Sequence, residues 1–291
     1  MNSKTICIAG FIIKLCSENQ EGFLLEEGFI PFLINHNSND FDVSITSVIG
    51  IPEALLMTDN LLFEAKNEQQ KFFSIYQQGE SYKFIVYNQQ LDNNEIQQVA
   101  ILNQDLNNWI VYSAKSENNE LVYPILYPLG PLVMYYLTVK YDAIMIHASG
   151  VFDGQYGRIF SGVSGTGKST ISFLWQKNGS LIINDDRLII RKEHDDYYIY
   201  NTPMFYADIP KRTQLHSVNL IHHASRNNAI RLNGAMAVSQ LMAFCIQHSY
   251  NNAFLEHHLE FLSGLCAQLP VYDLGFLPDD NIVNYIKANA V

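Results

Sequence analysis

Basic residues are scarce in this chain: 18 Lys and Arg stand against 29 Asp and Glu, a formal net charge of -11 over 291 residues. Such a balance offers no general electrostatic grip on nucleic acid or on an anionic membrane, so neither is expected as a partner; only a local basic pocket is left open. Cysteine is scarce too. Cys7, Cys16, Cys245 and Cys266 form no CxxC pair and no Cys/His cluster, which argues against a zinc site or a disulfide framework and suits reduced, mostly buried thiols. Long apolar runs are also lacking. The opening stretch MNSKTICIAGFIIKL is broken by Gly10 and Lys14 and is too short for a signal peptide or a span, so the cytoplasm is the expected compartment. No internal repeat is visible.

What is present is a hydrophobic content of 48%, ample for a large core. The first part of the chain is a series of short β-rich runs, among them KTICIAGFIIKL, GFLLEEGFIPFLI, FDVSITSVIG, YKFIVYN and WIVYSAK, separated by Asn, Gln, Asp, Glu and Gly. Such punctuation predicts an antiparallel β domain over residues 1–122. Pro124, Pro128, Gly130 and Pro131 then mark a boundary. The helix predicted over LVMYYLTVKYD is placed in a second domain, 123–291, packed beneath its strands.

In that second domain AIMIHASGVFD and RIFSG are predicted strands, and the helix after Lys168 ends at Asn178-Gly179. SLIIND is an apolar strand delivering Asp185 and Asp186 at its end, and RLIIRKEHDDYYIYNTP is two strands around an acidic turn. Helices are expected over 234–248 and 252–268, then a strand PVYDLGF and a terminal helix from Asp280. The class is α/β (α+β), without strict βαβ order.

Gly162-Val-Ser-Gly-Thr-Gly-Lys-Ser169 satisfies G-x-x-x-x-G-K-[ST] in full, between a predicted strand and a predicted helix. Glycines let successive N–H groups ring a phosphate, and the helix N-terminus adds partial positive charge. The expected nucleotide-binding set is therefore Gly162, Ser164, Gly165, Thr166, Gly167, Lys168, Ser169 and Thr170. Lys168 would reach the β- and γ-phosphates and the Ser169 hydroxyl would serve Mg²⁺. Neighbouring strand residues point to opposite faces, so Asp185 and Asp186 share a site only if the strand has already ended. One carboxylate on the metal and one accepting a hydroxyl proton is what phosphoryl transfer requires; a solvated acidic turn is the alternative. His147 sits on the strand before the loop strand, within reach of a phosphate or an acid, or else as a structural residue. The adjacent pairs His222-His223 and His257-His258 project in different directions and make poor metal sites.

Taken together, IHASGVF, GRIFSGVSGTGKST and LIINDD resemble the kinase domain of HPr kinase/phosphorylase and its shorter relatives, a P-loop fold shared with ATP-dependent phosphoenolpyruvate carboxykinase. YNTPMF and LPVYDLGFLPDD look like further elements of the same group, so the likeness runs from about Ala143 onward. It implies a loop strand fed by an antiparallel hairpin. It also implies ATP and Mg²⁺ as cofactors, and His147, Lys168, Asp185 and Asp186 in the active site, with Asp185 as proton acceptor and Asp186 as metal ligand. The implied partner is a hydroxyl-bearing acceptor, a serine of a peptide, a protein or a free amino acid, and the implied assembly is a homo-oligomer. HPr kinases usually carry acids where this chain has Val163 and Thr170, so HPr itself does not follow as substrate. Carboxykinases are far longer and need an oxaloacetate site that has no counterpart here. A nucleotide-binding sensor and a carboxykinase-like enzyme remain the rival readings.

Overall fold

A computed structural model describes residues 2–18, 22–36, 40–57, 60–68, 70–89, 94–115, 121–248, 250–289 and 291. The chain forms two compact units: Met1–Lys140 with Pro203–Ile209 and His248–Tyr250, and Tyr141–Thr202 with Pro210–Gln247 and Asn251–Val291.

The first unit is built on strands β1 (Ser3–Ile8), β2 (Phe11–Ser17), β3 (Leu33–Ile34), β4 (Val43–Ile49), β5 (Asn60–Lys66), β6 (Lys71–Gln78), β7 (Ser81–Tyr87), β8 (Ile96–Leu102) and β9 (Asn108–Ser113). They form one nine-stranded sheet in the order β3-β1-β2-β4-β9-β8-β7-β6-β5. Alternation places one face inward: Phe11, Ile13, Leu15 and Ser17 of β2 are buried, with the residues between them half-exposed. The sheet is not purely antiparallel as expected, because β4 runs parallel to both β2 and β9. Parallel neighbours need long crossovers, and β4 reaches β9 only after the whole β5 to β8 meander. The predicted strand GFLLEEGFIPFLI is instead a 3₁₀ turn, Glu27–Phe32, before the short β3. Pro31 has no N–H for a ladder, and Gly28 lies where a Cβ would come 1.6 Å from the Met204 carbonyl oxygen.

Helices α1 (Glu53–Leu56) and α2 (Leu129–Lys140) also belong to this unit. The expected break at 122/123 therefore gives way to one after Lys140. The reason is packing. Tyr136 of α2 is fully buried, with its ring 5.3 Å from Phe84 and 5.7 Å from Trp109.

The second unit carries β10 (Ala143–Phe152), β11 (Gly157–Ser161), α3 (Lys168–Lys177), β12 (Leu181–Asn184), β13 (Arg187–Glu193), β14 (Asp196–Asn201), β15 (Arg212–His223), β16 (Asn228–Leu232), α4 (Gly234–Met242), α5 (Asn252–Gln268), β17 (Val271–Phe276) and α6 (Asn281–Ala288). Its eight strands make a mixed sheet in which β10 and β15 each serve two sets of neighbours. The first half of β10 pairs with β13, and its second half with β11 on one side and β12 on the other. The pairing β10-β13-β14-β15-β11 returns to β10, closing a circuit.

Neighbouring residues of β11 face opposite layers, which sets the helices on both sides. Ile159 packs with Leu241, Leu262 and Leu265 of α4 and α5. Phe160 packs with Ile171 and Trp175 of α3 and Ile282 and Ile286 of α6. The expected helix over 234–248 ends at Met242. Beyond it the backbone turns to serve β10: His147 N–H donates to the Phe244 carbonyl at 3.0 Å, and Ile246 N–H to Met145 at 2.8 Å.

Candidate functional site

The glycine loop follows β11 directly, and β11 is antiparallel to β10, as the hairpin expectation has it. Two features require glycine. A Cβ on Gly162 would stand 2.7 Å from both the Ile221 carbonyl oxygen and Thr166 Oγ1, while Gly165 and Gly167 take φ of 82° and 97°, in the left-handed region. The Thr166 hydroxyl donates to the Val163 carbonyl at 2.8 Å and tightens the turn. Helix α3 then starts at Lys168 with no side-chain cap, which leaves its first N–H groups open to an anion. Lys168 is buried, its ammonium donating to the carbonyls of Gly162 at 2.9 Å and Val163 at 3.3 Å. Ser164, Ser169 and Thr170 are exposed. His223 touches the loop from β15: its Nε2 lies 3.2 Å from the Gly165 oxygen and its ring stacks on Phe276.

Strand β12 is not beside β11 but on the far edge of β10. It is antiparallel to β10, as β11 is, so β11 and β12 end at the same side of the sheet. There the strand stops at Asn184, and Asp185 and Asp186 lie in a bend. Asn184 builds that bend. Its buried amide accepts from Asp185 N–H at 2.8 Å and donates to the Arg187 carbonyl at 2.7 Å. Thr202 Oγ1 donates to the same carbonyl at 3.0 Å.

Freed from strand alternation, the two carboxylates take separate partners. Asp185 Oδ1 accepts from Ser172 Oγ of α3 at 2.8 Å. Ser172 is one helical turn past Lys168, contacts the Lys168 carbonyl at 3.1 Å, and meets the buried Ser149 hydroxyl of β10. Asp186 instead faces His147, with Nε2 to Oδ1 at 3.4 Å, and takes Arg187 Nε on Oδ2 at 2.9 Å. The His147 side chain is 46% exposed and that of Asp186 37%, so this pair is open to a reactant. Burial and the nearby Lys168 ammonium pull the His147 pKa below its ordinary value, against the opposing pull of Asp186. Its backbone is fixed as well, by Ser161 Oγ donating to its carbonyl at 2.7 Å.

Lys168, His147, Asp185 and Asp186 therefore gather at one end of the sheet. The histidine pairs part company: His222 Nδ1 meets Asp273 at 2.9 Å, and His258 meets the Gln247 side chain. Among the described residues no group of three His, Cys, Asp or Glu could hold a metal unaided. Mg²⁺ needs no such group, since it is commonly held by one or two carboxylates together with phosphate oxygens and water. Sequence reasoning does not find Ser149, Ser172, Asn184, Arg187 or Thr202, and it weighs His223 only as half of a metal pair. Only Ser172, at i+4 from Lys168, has a positional signal.

No family model matches the chain, and no curated protein matches its sequence. Among solved structures, the HPr(Ser) kinase/phosphatase from Coxiella burnetii is similar over 50% of this chain and 97% of its own, with 11% identity and a TM-score of 0.31, a level that assigns no family.

Proposed function

We propose that this protein is an ATP- and Mg²⁺-dependent kinase that transfers the γ-phosphate to a hydroxyl, the acceptor being a serine of a peptide, a protein or a free amino acid. The observation that carries the reading is the meeting of a complete phosphate loop with two differently partnered carboxylates at one end of one sheet. Gly162, Ser164, Gly165, Thr166 and Gly167 with the first turn of α3 would hold the nucleotide phosphates by their N–H groups. Lys168 would leave its two loop carbonyls to reach the β- and γ-phosphates. Mg²⁺, when bound, neutralises phosphate charge.

The hydrogen bonds favour a division of labour opposite to the one the resemblance implies. Asp185 is tied to Ser172, three residues along α3 from Ser169 and on the same face, so Asp185 and Ser169 are the pair suited to the metal. Asp186, open and beside His147, is the carboxylate suited to accept the proton of the attacking hydroxyl. Arg187 holds Asp186 in place. His147 orients the same carboxylate and stands within the field of Lys168, at the phosphate side.

The test is transfer of label from γ-labelled ATP to a panel of serine peptides and to free serine, with Asp186→Asn beside the unaltered protein. General-base catalysis is worth about 10²–10⁴-fold, so Asp186→Asn should lose that much turnover at nearly unchanged ATP affinity. ATP binding without transfer to any hydroxyl acceptor, lysate proteins included, would leave the sensor reading in its place.

A further inference from the structure

The opposite end of β11 carries a second cluster of donors that the proposed phosphoryl transfer does not use. Two adjoining cavities of about 320 and 230 Å³ share Tyr156, Arg158 and Lys287 as walls; His216 and Ser217 line the larger, Asp153 and Gln155 the smaller. Arg158 is the built part of this site, its side chain only 5% exposed. Its Nη1 donates to Asp153 Oδ2 at 2.7 Å and its Nε to a terminal oxygen of Val291, which also lines the larger cavity, at 2.8 Å. Its Nη2 has no protein partner among the described residues, and Arg158 lines both cavities.

Two more donors stand beside it. His216 Nδ1 lies 3.1 Å from both the Gly157 N–H and the Gln214 carbonyl. With the Gly157 N–H donating to Nδ1, the neutral ring carries its hydrogen on Nε2, a donor that has no partner among the described residues, and His216 lines the larger cavity. Lys287 of α6 lies over the Trp175 ring and makes no ion pair among the described residues. The acid of the lining, Asp153, and the terminal oxygen of Val291 are both already committed to Arg158. Burial would raise the Asp153 pKa, but the N–H groups of Tyr156 and Gln155 and the Arg158 guanidinium outweigh that and hold it low.

From this arrangement we infer that Arg158, Lys287 and His216 form a binding site for the phosphate of a small phosphomonoester, with the Tyr156 ring as the wall for its organic part. Three donors, two of them cationic, suit an oxyanion with several acceptor oxygens. The larger cavity exceeds what inorganic phosphate alone would fill. The site is separate from the glycine loop. Arg158 and Gly162 are four residues apart along an extended strand, about 13 Å.

The loop also binds phosphates, so the experiment uses Lys168→Ala as its background. Calorimetry titrates inorganic phosphate and glycerol 3-phosphate into that variant at low salt, and then into it with Lys287→Ala or His216→Gln added. One saturable site is expected, weakened about tenfold or more by either added change, as for loss of one charge-assisted hydrogen bond. Tighter binding of glycerol 3-phosphate identifies an ester as the ligand; equal binding identifies free phosphate and overturns the role given to Tyr156. No saturable binding, or affinities indifferent to both changes, overturns the site. Because Lys287 is exposed, its replacement tests binding without threatening the fold.

Discussion

Replacing Asn184 separates a working bend from a chance acidic turn. In Asn184→Ala, Asp185 N–H loses its acceptor, while the Arg187 carbonyl keeps Thr202 Oγ1 as donor. One net hydrogen bond is worth about 1 kcal/mol and an orphaned N–H about 1–3 kcal/mol when fully buried; the Asp185 N–H is only part-buried, which puts it at the low end, so the loss should be about 2 kcal/mol. Asn184→Asp is informative in a different way. It keeps the acceptor for Asp185 N–H but sets a carboxylate oxygen where the amide now donates to Arg187 at 2.7 Å, adding a third negative charge to the bend. It should be destabilised too, by repulsion instead of by an orphaned donor. Urea denaturation measures both losses. Turnover should fall with them, since a displacement of about 1 Å in a catalytic group can cost roughly 10²-fold. If both variants stay within about 0.5 kcal/mol of the parent and turn over normally, Asn184 does not hold the acids and the reasoning fails.

Lys168→Ala should weaken ATP binding strongly and leave the denaturation midpoint almost unchanged, because its ammonium bonds only its own loop; unchanged nucleotide affinity by calorimetry would refute this. Asp185→Asn should raise the Mg²⁺ concentration needed for half-maximal rate, whereas Asp186→Asn should lower the maximal rate at any Mg²⁺; the reverse pattern would restore the order implied by the resemblance. Because the folded-state pKa of His147 is depressed, the unfolded chain takes up the proton first as pH falls below about 6.5. Stability should therefore drop through that window in the parent and less in His147→Gln, as read by denaturation at a series of pH values. Gly162→Ala places a methyl 2.7 Å from two oxygens and should distort the loop, with ATP affinity lost before stability.

The loop is legible in the sequence because its chemistry demands particular residues at particular spacings: Gly162 for a close approach, Gly165 and Gly167 for left-handed backbone, Lys168 for charge. The acids are legible as a pair, but not their partners. Asn184 in isolation looks like an ordinary turn residue, and nothing local marks its amide as the clamp. Strand β15 escapes a reading by pattern although it is central, because Gln214, His216, Ser217 and Asn219 interrupt the apolar run. Their needs are met across the sheet, as when Asn219 Nδ2 donates to the Ile159 carbonyl at 3.3 Å. Helix α4 reads too long because the backbone beyond Met242 is bent by hydrogen bonds to β10, which lies far away in sequence. The break after Lys140 is hidden for the same reason: an apolar helix advertises that it will be buried, not against which neighbours.

The chain passes between the two units five times, and this limits how the protein can be taken apart. A single cut after Lys140 would not free the second unit. It would carry away Pro203–Ile209 without Gly28, the residue whose missing side chain lets Met204 approach, and His248–Tyr250 without the rings of Phe63, Phe73 and Tyr135 that surround His248. A fragment from Tyr141 onward should therefore expose the His248 and Tyr250 rings, stripped of their aromatic neighbours, and aggregate. The useful cleavage is inside the chain, in surface turns such as that around Gly79, with both halves left to associate. Such a nick loosens the first unit alone and leaves all five crossings in place, so the change it makes in ATP affinity reads what that unit contributes.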